Sequence, residues 1–195
     1  YELAVQLRKK VFKVKNNSFY KKGYGEALLS KGTAKYSMED IEGAEKLLEE
    51  ALHIFSMLAD EYQTMEAQRD YSIALNRYAK VALVQEDYYR AITYYEKSME
   101  LRKKIVSYCR ISEIVFDCAI NFVFIAESYK KMGKMASAKK FYEEAIEMLI
   151  PILPKDKKSD WHYIFATATL ERFILDTFSG KKYLEYAIEA WNWLI

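Results

Sequence analysis

The sequence predicts an all-α fold, a solenoid of antiparallel helix pairs with about nine helices, and three observations carry that expectation. The first is a fixed shift of 47 residues that links Ala44, Ala91 and Ala138, then Leu48, Tyr95 and Tyr142, then Ala51, Ser98 and Ala145. Columns locked to one shift mark a chain built from copies of one supersecondary unit, each burying its apolar face against its neighbours. The second is the spacing of apolar residues, which keeps the three-to-four residue helical period in every long segment and never alternates strictly for more than a few residues. The third is composition: 195 residues, 51% of them hydrophobic, contain only 6 Gly and 2 Pro, which leaves little for long loops or disorder.

Taken in order, residues 1–15 read as a helix with Leu3, Ala4, Leu7 and Val11 on one side. Tyr1, Ala4 and Leu7 stand one period ahead of Leu48, Ala51 and Ile54, so this is the second helix of a partial unit, 1–17. Asn16, Asn17 and Ser18 supply the break and a cap. In the unit at about 18–64, the first helix spans about 19–36, and Gly32 fills the column of Ala79 and Ala126, where a small residue lets paired helices close in. SMED at 37–40 has the Ser-x-x-acid order of a capping box and predicts that the second helix opens near Glu39 and runs to about Asp60.

A connection at about 62–66 leads to the unit at about 65–111, with helices over about 68–84 and 88–108 turned by Gln85, Glu86 and Asp87. In the unit at about 112–158, Ser112 caps a helix to about Lys131, Met132 to Lys134 make the turn, and the helix at 135–149 ends before Pro151 and Pro154. LPKDKKSD is the one long loop. The unit at 159–195 starts with a helix capped by Ser159 or Asp160 and reaching about Phe178. SGKK then turns the chain into a last helix from Tyr183 to Ile195, whose register has slipped so that Ala187 answers Ala138. The start at Tyr1 in mid-unit and the apolar end at Trp191, Trp193, Leu194 and Ile195 predict a segment of a longer protein whose terminal helices self-associate.

Charge and chemistry narrow the function classes. Thirty basic residues against 28 acidic ones give +2, which is no electrostatic footprint for nucleic acid or an anionic membrane. No apolar run is long enough to span a bilayer and no start resembles a secretion signal. Cys109 and Cys118 form no framework or CxxC pair, which places the chain in a reducing, cytoplasmic setting with small buried thiols. His53 and His162 stand alone, with no HExxH and no Gly-rich phosphate loop, so neither catalysis, a metal nor a cofactor is expected. The 17 Tyr and 10 Phe fall mostly at core columns and read as inter-helix packing. The basic runs at 8–10, 102–104 and 139–140 sit among Glu96, Glu100, Glu143 and Glu144 and read as solvated faces.

Phe122, Ile125, Ala126 and Tyr129 followed by Ala138, Tyr142 and Ala145, with Gly133 at the turn, resemble the tetratricopeptide repeat. Leu75, Tyr78, Ala79 and Ala82 with Ala91, Tyr95 and Ser98 repeat the pattern. Leu28, Gly32 and Lys35 with Ala44, Leu48 and Ala51 follow it more loosely, and the last unit departs from it, with Glu171 where a large apolar residue belongs. The unit is 47 residues long where the family's usual length is about 34, and it looks like a long-unit variant of multidomain bacterial proteins.

The resemblance implies a right-handed superhelix and a concave groove lined by the first helix of each unit. It places three columns there: Leu29, Asn76 and Val123; Thr33, Lys80 and Glu127; Tyr36, Leu83 and Lys130. Leu29 and Thr33 stand where a clamp for a peptide's C-terminal carboxylate wants Lys and Asn. The resemblance therefore implies a non-catalytic scaffold for a protein or peptide segment, or alternatively a sensing array that controls an attached effector domain.

Overall fold

The computed structural model describes residues 1–15, 17–108, 112–153, 159–175 and 181–192. Among them are nine helices and no strand: α1 (Glu2–Lys15), α2 (Ser18–Ser37), α3 (Ile41–Tyr62), α4 (Met65–Val84), α5 (Tyr88–Tyr108), α6 (Ser112–Lys131), α7 (Met135–Leu149), α8 (Ser159–Ile174) and α9 (Lys181–Asn192). Asn16, Cys109, Pro154 with most of the expected long loop, Phe178 with Ser179 and Gly180 of the SGKK turn, and Trp193, Leu194 and Ile195 lie outside the described residues.

Local chemistry sets the helix ends. The Asn17 carboxamide oxygen accepts from the Tyr20 N–H at 3.1 Å, so α2 starts at Ser18. The expected capping box at 37–40 does not form. Ser37 is still inside α2, where its hydroxyl donates to the Thr33 carbonyl at 3.1 Å, and Asp40 caps α3 by accepting from the Gly43 N–H at 2.9 Å. Asp is as good a cap as Ser, and it stands directly before the apolar stripe of α3. Thr64 accepts from the Ala67 N–H at 3.2 Å, which starts α4 at Met65, earlier than the apolar periodicity indicates. α8 ends at Ile174, short of the expected Phe178.

The three turns inside helix pairs share one backbone design. Glu39, Glu86 and Gly133 stand 47 residues apart and have φ of 62°, 59° and 73°. Their N–H groups donate to the carbonyls of Tyr36, Leu83 and Lys130 at 3.0, 3.1 and 3.0 Å. The next residues, Asp40, Asp87 and Lys134, donate to Lys35, Ala82 and Tyr129 at 3.0, 2.9 and 2.9 Å. This double closure is the Schellman motif; it satisfies the carbonyls orphaned at a helix end and reverses the chain in very few residues. The neighbouring helices are thereby forced into antiparallel pairs.

The chain forms two compact units, Tyr1–Arg102 and Lys103–Ile195, with the boundary inside α5. In the first, α1 packs on α2, α2 on α3 and α3 on α4, while α2 also touches α4. In the second, α6 packs on α7, α7 on α8 and α8 on α9, while α6 also touches α8. Contact between alternate helices brings the first helices of successive pairs side by side, which is the stacking of an α-solenoid.

The repeated columns make the cores. Ala44, Leu48, Ala51, Ala91, Tyr95, Ala138, Tyr142 and Ala145 are all buried. At Gly32 an added Cβ would lie 2.7 Å from the Leu48 side chain, so α2 approaches α3 more closely there than any side chain permits. Ser98, in a column otherwise held by Ala, is satisfied: its hydroxyl donates to the Ser72 carbonyl at 2.9 Å, and Arg102 Nε donates to Ser72 Oγ at 3.1 Å. A buried polar group with a partner is tolerated where an orphan is not. Cys118 is a buried thiol, and His53 is exposed on α3. α1 leaves Leu3, Leu7, Val11 and Val14 exposed, and α9 leaves Ile188 and Trp191 exposed.

Candidate functional site

In the first unit the faces in question belong to α2 and α4. Leu29, Thr33 and Tyr36 follow one another at four and three residues on α2, as Asn76, Lys80 and Leu83 do on α4, so each trio forms a stripe on its helix. All six are half-buried. Leu29 packs against clusters built on Phe55, Tyr24 and Leu48, and Tyr36 packs against the Ala44, Leu48, Tyr78 and Val81 cluster, so much of their apolar surface is already committed to the core. Burial, followed by the neighbouring Arg77 guanidinium, holds the Lys80 ammonium below its ordinary pKa.

Lys22 bridges the starts of these two helices, with its ammonium 2.7 Å from Asp70 and 2.5 Å from Glu66. These charge-assisted bonds, to Asp70 first and Glu66 next, push the Lys22 pKa up. Near the other end of the pair, Glu45 of α3 accepts from Arg90 at 2.8 Å and Gln85 at 2.7 Å. These polar ties lie at the ends of the stripes and leave the middle to Asn76 and its neighbours.

The second unit arranges its predicted residues differently. Val123 is only 3% exposed and belongs to the core. Glu127 and Lys130 are half-buried, three residues apart on α6 and therefore on one side of it. The Lys130 ammonium pairs with the Glu171 carboxylate of α8. Burial and then the Glu171 charge raise the Glu127 pKa above the usual carboxylate range, with Lys130 and Lys131 opposing. Tyr142 lies on α7 of the same unit. It is 0% exposed, and among the described residues its hydroxyl has no hydrogen-bond partner. Burial, then the charges of Glu127 and Glu171, push its pKa up.

Sequence reasoning passed over two of these residues. Tyr142 matched a core column, which hid the fate of its hydroxyl. Glu171 did leave a signal, because it breaks an apolar column of the last unit, and the structure turns it toward α6. Next to it, Arg172 is anchored on Glu143 of α7 through Nε at 2.8 Å and a terminal nitrogen at 2.6 Å, and the Tyr183 hydroxyl donates to the same carboxylate at 3.0 Å. That brace fixes α8 and α9 against α7. Among the described residues no group of His, Cys, Asp and Glu is arranged to hold a metal, and no helix is long and apolar enough to cross a membrane.

The tetratricopeptide-repeat family model matches residues 121–148, the stretch from within α6 to the end of α7 that contains the columns from Phe122 to Ala145. The resemblance read from those residues is thus found again by comparison. Among solved structures, the crystal structure of MamA is similar over 96% of this chain and 86% of its own, at 17% identity and a TM-score of 0.57. That likeness shows the fold. The crystal structure of the de novo designed helical repeat protein DHR64 is similar over 97% of this chain and 93% of its own, at 13% identity and a TM-score of 0.36. Comparison with curated proteins finds no match.

Proposed function

We propose that this helical-repeat chain is a non-catalytic scaffold that binds an extended protein or peptide segment on the faces of first helices, α2 and α4 of the first unit. The tetratricopeptide match at 121–148 supports an interaction module in general terms. The observation that carries the finer reading is the pair of half-buried stripes on α2 and α4, where Asn76 and Lys80 stand among Leu29, Tyr36 and Leu83. A surface of this mixture offers an extended chain hydrogen bonds for its backbone and apolar contact for alternate side chains. Side chains already half-packed lose little rotamer freedom when a partner covers them.

The test is capture of peptides from a random library by the full chain, followed by titration of the captured peptides against Asn76→Ala and Lys80→Ala. A loss of about tenfold, worth about 1.4 kcal/mol, is expected from the double variant with unchanged helicity. Unchanged affinity would move the binding surface to another face.

A further inference from the structure

We infer that α1 of one copy of this chain docks into the groove between α8 and α9 of a second copy. The contact uses neither of the stripes on α2 and α4, so it stands apart from the peptide-binding reading.

Each side presents an apolar face turned away from its own core. On α1, Val5 and Phe12 pack into the cluster around Tyr24 and Leu28, whereas Leu3, Leu7, Val11 and Val14 are exposed. Leu3, Leu7 and Val14 fall on the side of the helix opposite Val5 and Phe12, where the core of the first unit cannot reach them. Phe19, exposed at the start of α2, extends this face, and it lines a cleft of about 350 Å³ together with Leu7 and Val11. In the second unit a groove of about 260 Å³ lies between α8 and α9, lined by Leu170, Leu184, Ile188 and Trp191. Leu170, Ile188 and Trp191 are exposed there. Each face thus offers a ridge and a hollow: the α1 stripe can fill the groove while Ile188 and Trp191 fill the cleft beside Phe19.

Charge selects the occupant. α1 carries Arg8, Lys9, Lys10, Lys13 and Lys15 against one acid, Glu2. Arg8 and Lys9 pair with Glu26 and Glu50, but among the described residues Lys10 and Lys13 have no ion-pair partner. Lys10 stands within the stripe, three residues after Leu7 and four before Val14, so two α1 stripes set face to face would bring like charges together. The groove has the opposite sign. Glu185 and Glu189 each follow a groove residue, Leu184 and Ile188, by one position and so border it, while the two lysines of α9 are confined to its first turn. Glu185 is held only by Lys181 at 3.9 Å, and Glu189 has no ion-pair partner among the described residues. Because stripe and groove are different surfaces, a copy bound through its α1 still offers its own groove, and association continues past the dimer unless the rotation between copies closes a ring.

Sedimentation of the full chain from about 1 μM to about 1 mM is the first measurement, and the average mass is expected to rise with concentration. Val14→Glu and Ile188→Glu, both at exposed positions, should each weaken association at least tenfold with unchanged helicity. Mixed in equal amounts, the two variants should form a one-to-one pair and nothing larger, since the mixture holds one intact stripe and one intact groove. Leu3→Glu and Trp191→Glu form a second pair that should behave alike, so the outcome does not hang on one variant's folding. An unaltered chain that stays monomeric throughout would overturn the inference whatever the variants do, and would leave both faces to a different protein. An Ile188→Glu variant that still dimerises would show α1 against α1, and a Val14→Glu variant that still dimerises would show groove against groove. Either result, or a mixture that remains monomeric, would overturn it as well.

Discussion

Replacing Tyr142 by Phe should make the second unit more stable. The substitution removes one oxygen from a side chain that is 0% exposed and whose hydroxyl has no hydrogen-bond partner among the described residues. A buried hydroxyl left unpaired costs about 1–3 kcal/mol, and the void left by one oxygen returns part of that, so a net gain of about 1 kcal/mol is expected. With a urea m-value of about 2 kcal/mol per molar, the unfolding midpoint rises by about 0.5 M. The assay is urea denaturation followed by both circular dichroism and aromatic fluorescence, because repeat arrays need not unfold in one step and the two probes reveal whether they do. A midpoint lowered by a similar amount would refute the reasoning, since the hydroxyl would then have a partner in solution.

Two further perturbations test the turns and the closest helix contact. A Cβ added at Gly133 meets nothing within 4 Å, so Gly133→Ala isolates the strain of a positive φ and should lose about 1 kcal/mol, while Glu86→Gly at the matching turn should gain about as much; equal denaturation midpoints for both would contradict the shared turn design. Gly32→Val should destabilise the first unit by about 2–3 kcal/mol, because its Cβ would meet the enclosed Leu48 side chain at 2.7 Å and Leu48 is itself only 1% exposed; a neutral result by the same denaturation assay would show that α2 can move away from α3 without loss.

The legible part of this protein is the part governed by short-range rules. Columns such as Ala44, Ala91 and Ala138 were readable because a position where two helices touch admits only small residues wherever the unit recurs. The cap at Asn17 and the helix end before Pro151 follow from backbone hydrogen-bonding chemistry that acts within a few residues. The misread boundary at 37–40 shows the limit of that reasoning: Ser37 and Asp40 are both competent caps, and which one acts depends on where the Schellman turn at Glu39 closes. The left-handed conformation at Glu39 and Glu86 left no mark in residue type, since only Gly133 among the three is the residue such a backbone favours.

Amino-acid order alone determined the helices, their pairing and the spacing with which they recur, because helical period, small-residue columns and turn chemistry are local constraints written into every unit. The tertiary structure decided which polar groups meet. Lys130 and Glu171 come from α6 and α8 and Tyr142 from α7, and neither the ion pair nor the unpaired state of the phenol can be read from a one-dimensional pattern. Pair distances between helices depend on how whole faces pack, and burial, which raises the pKa of Glu127 and of Tyr142, exists only once that packing is complete.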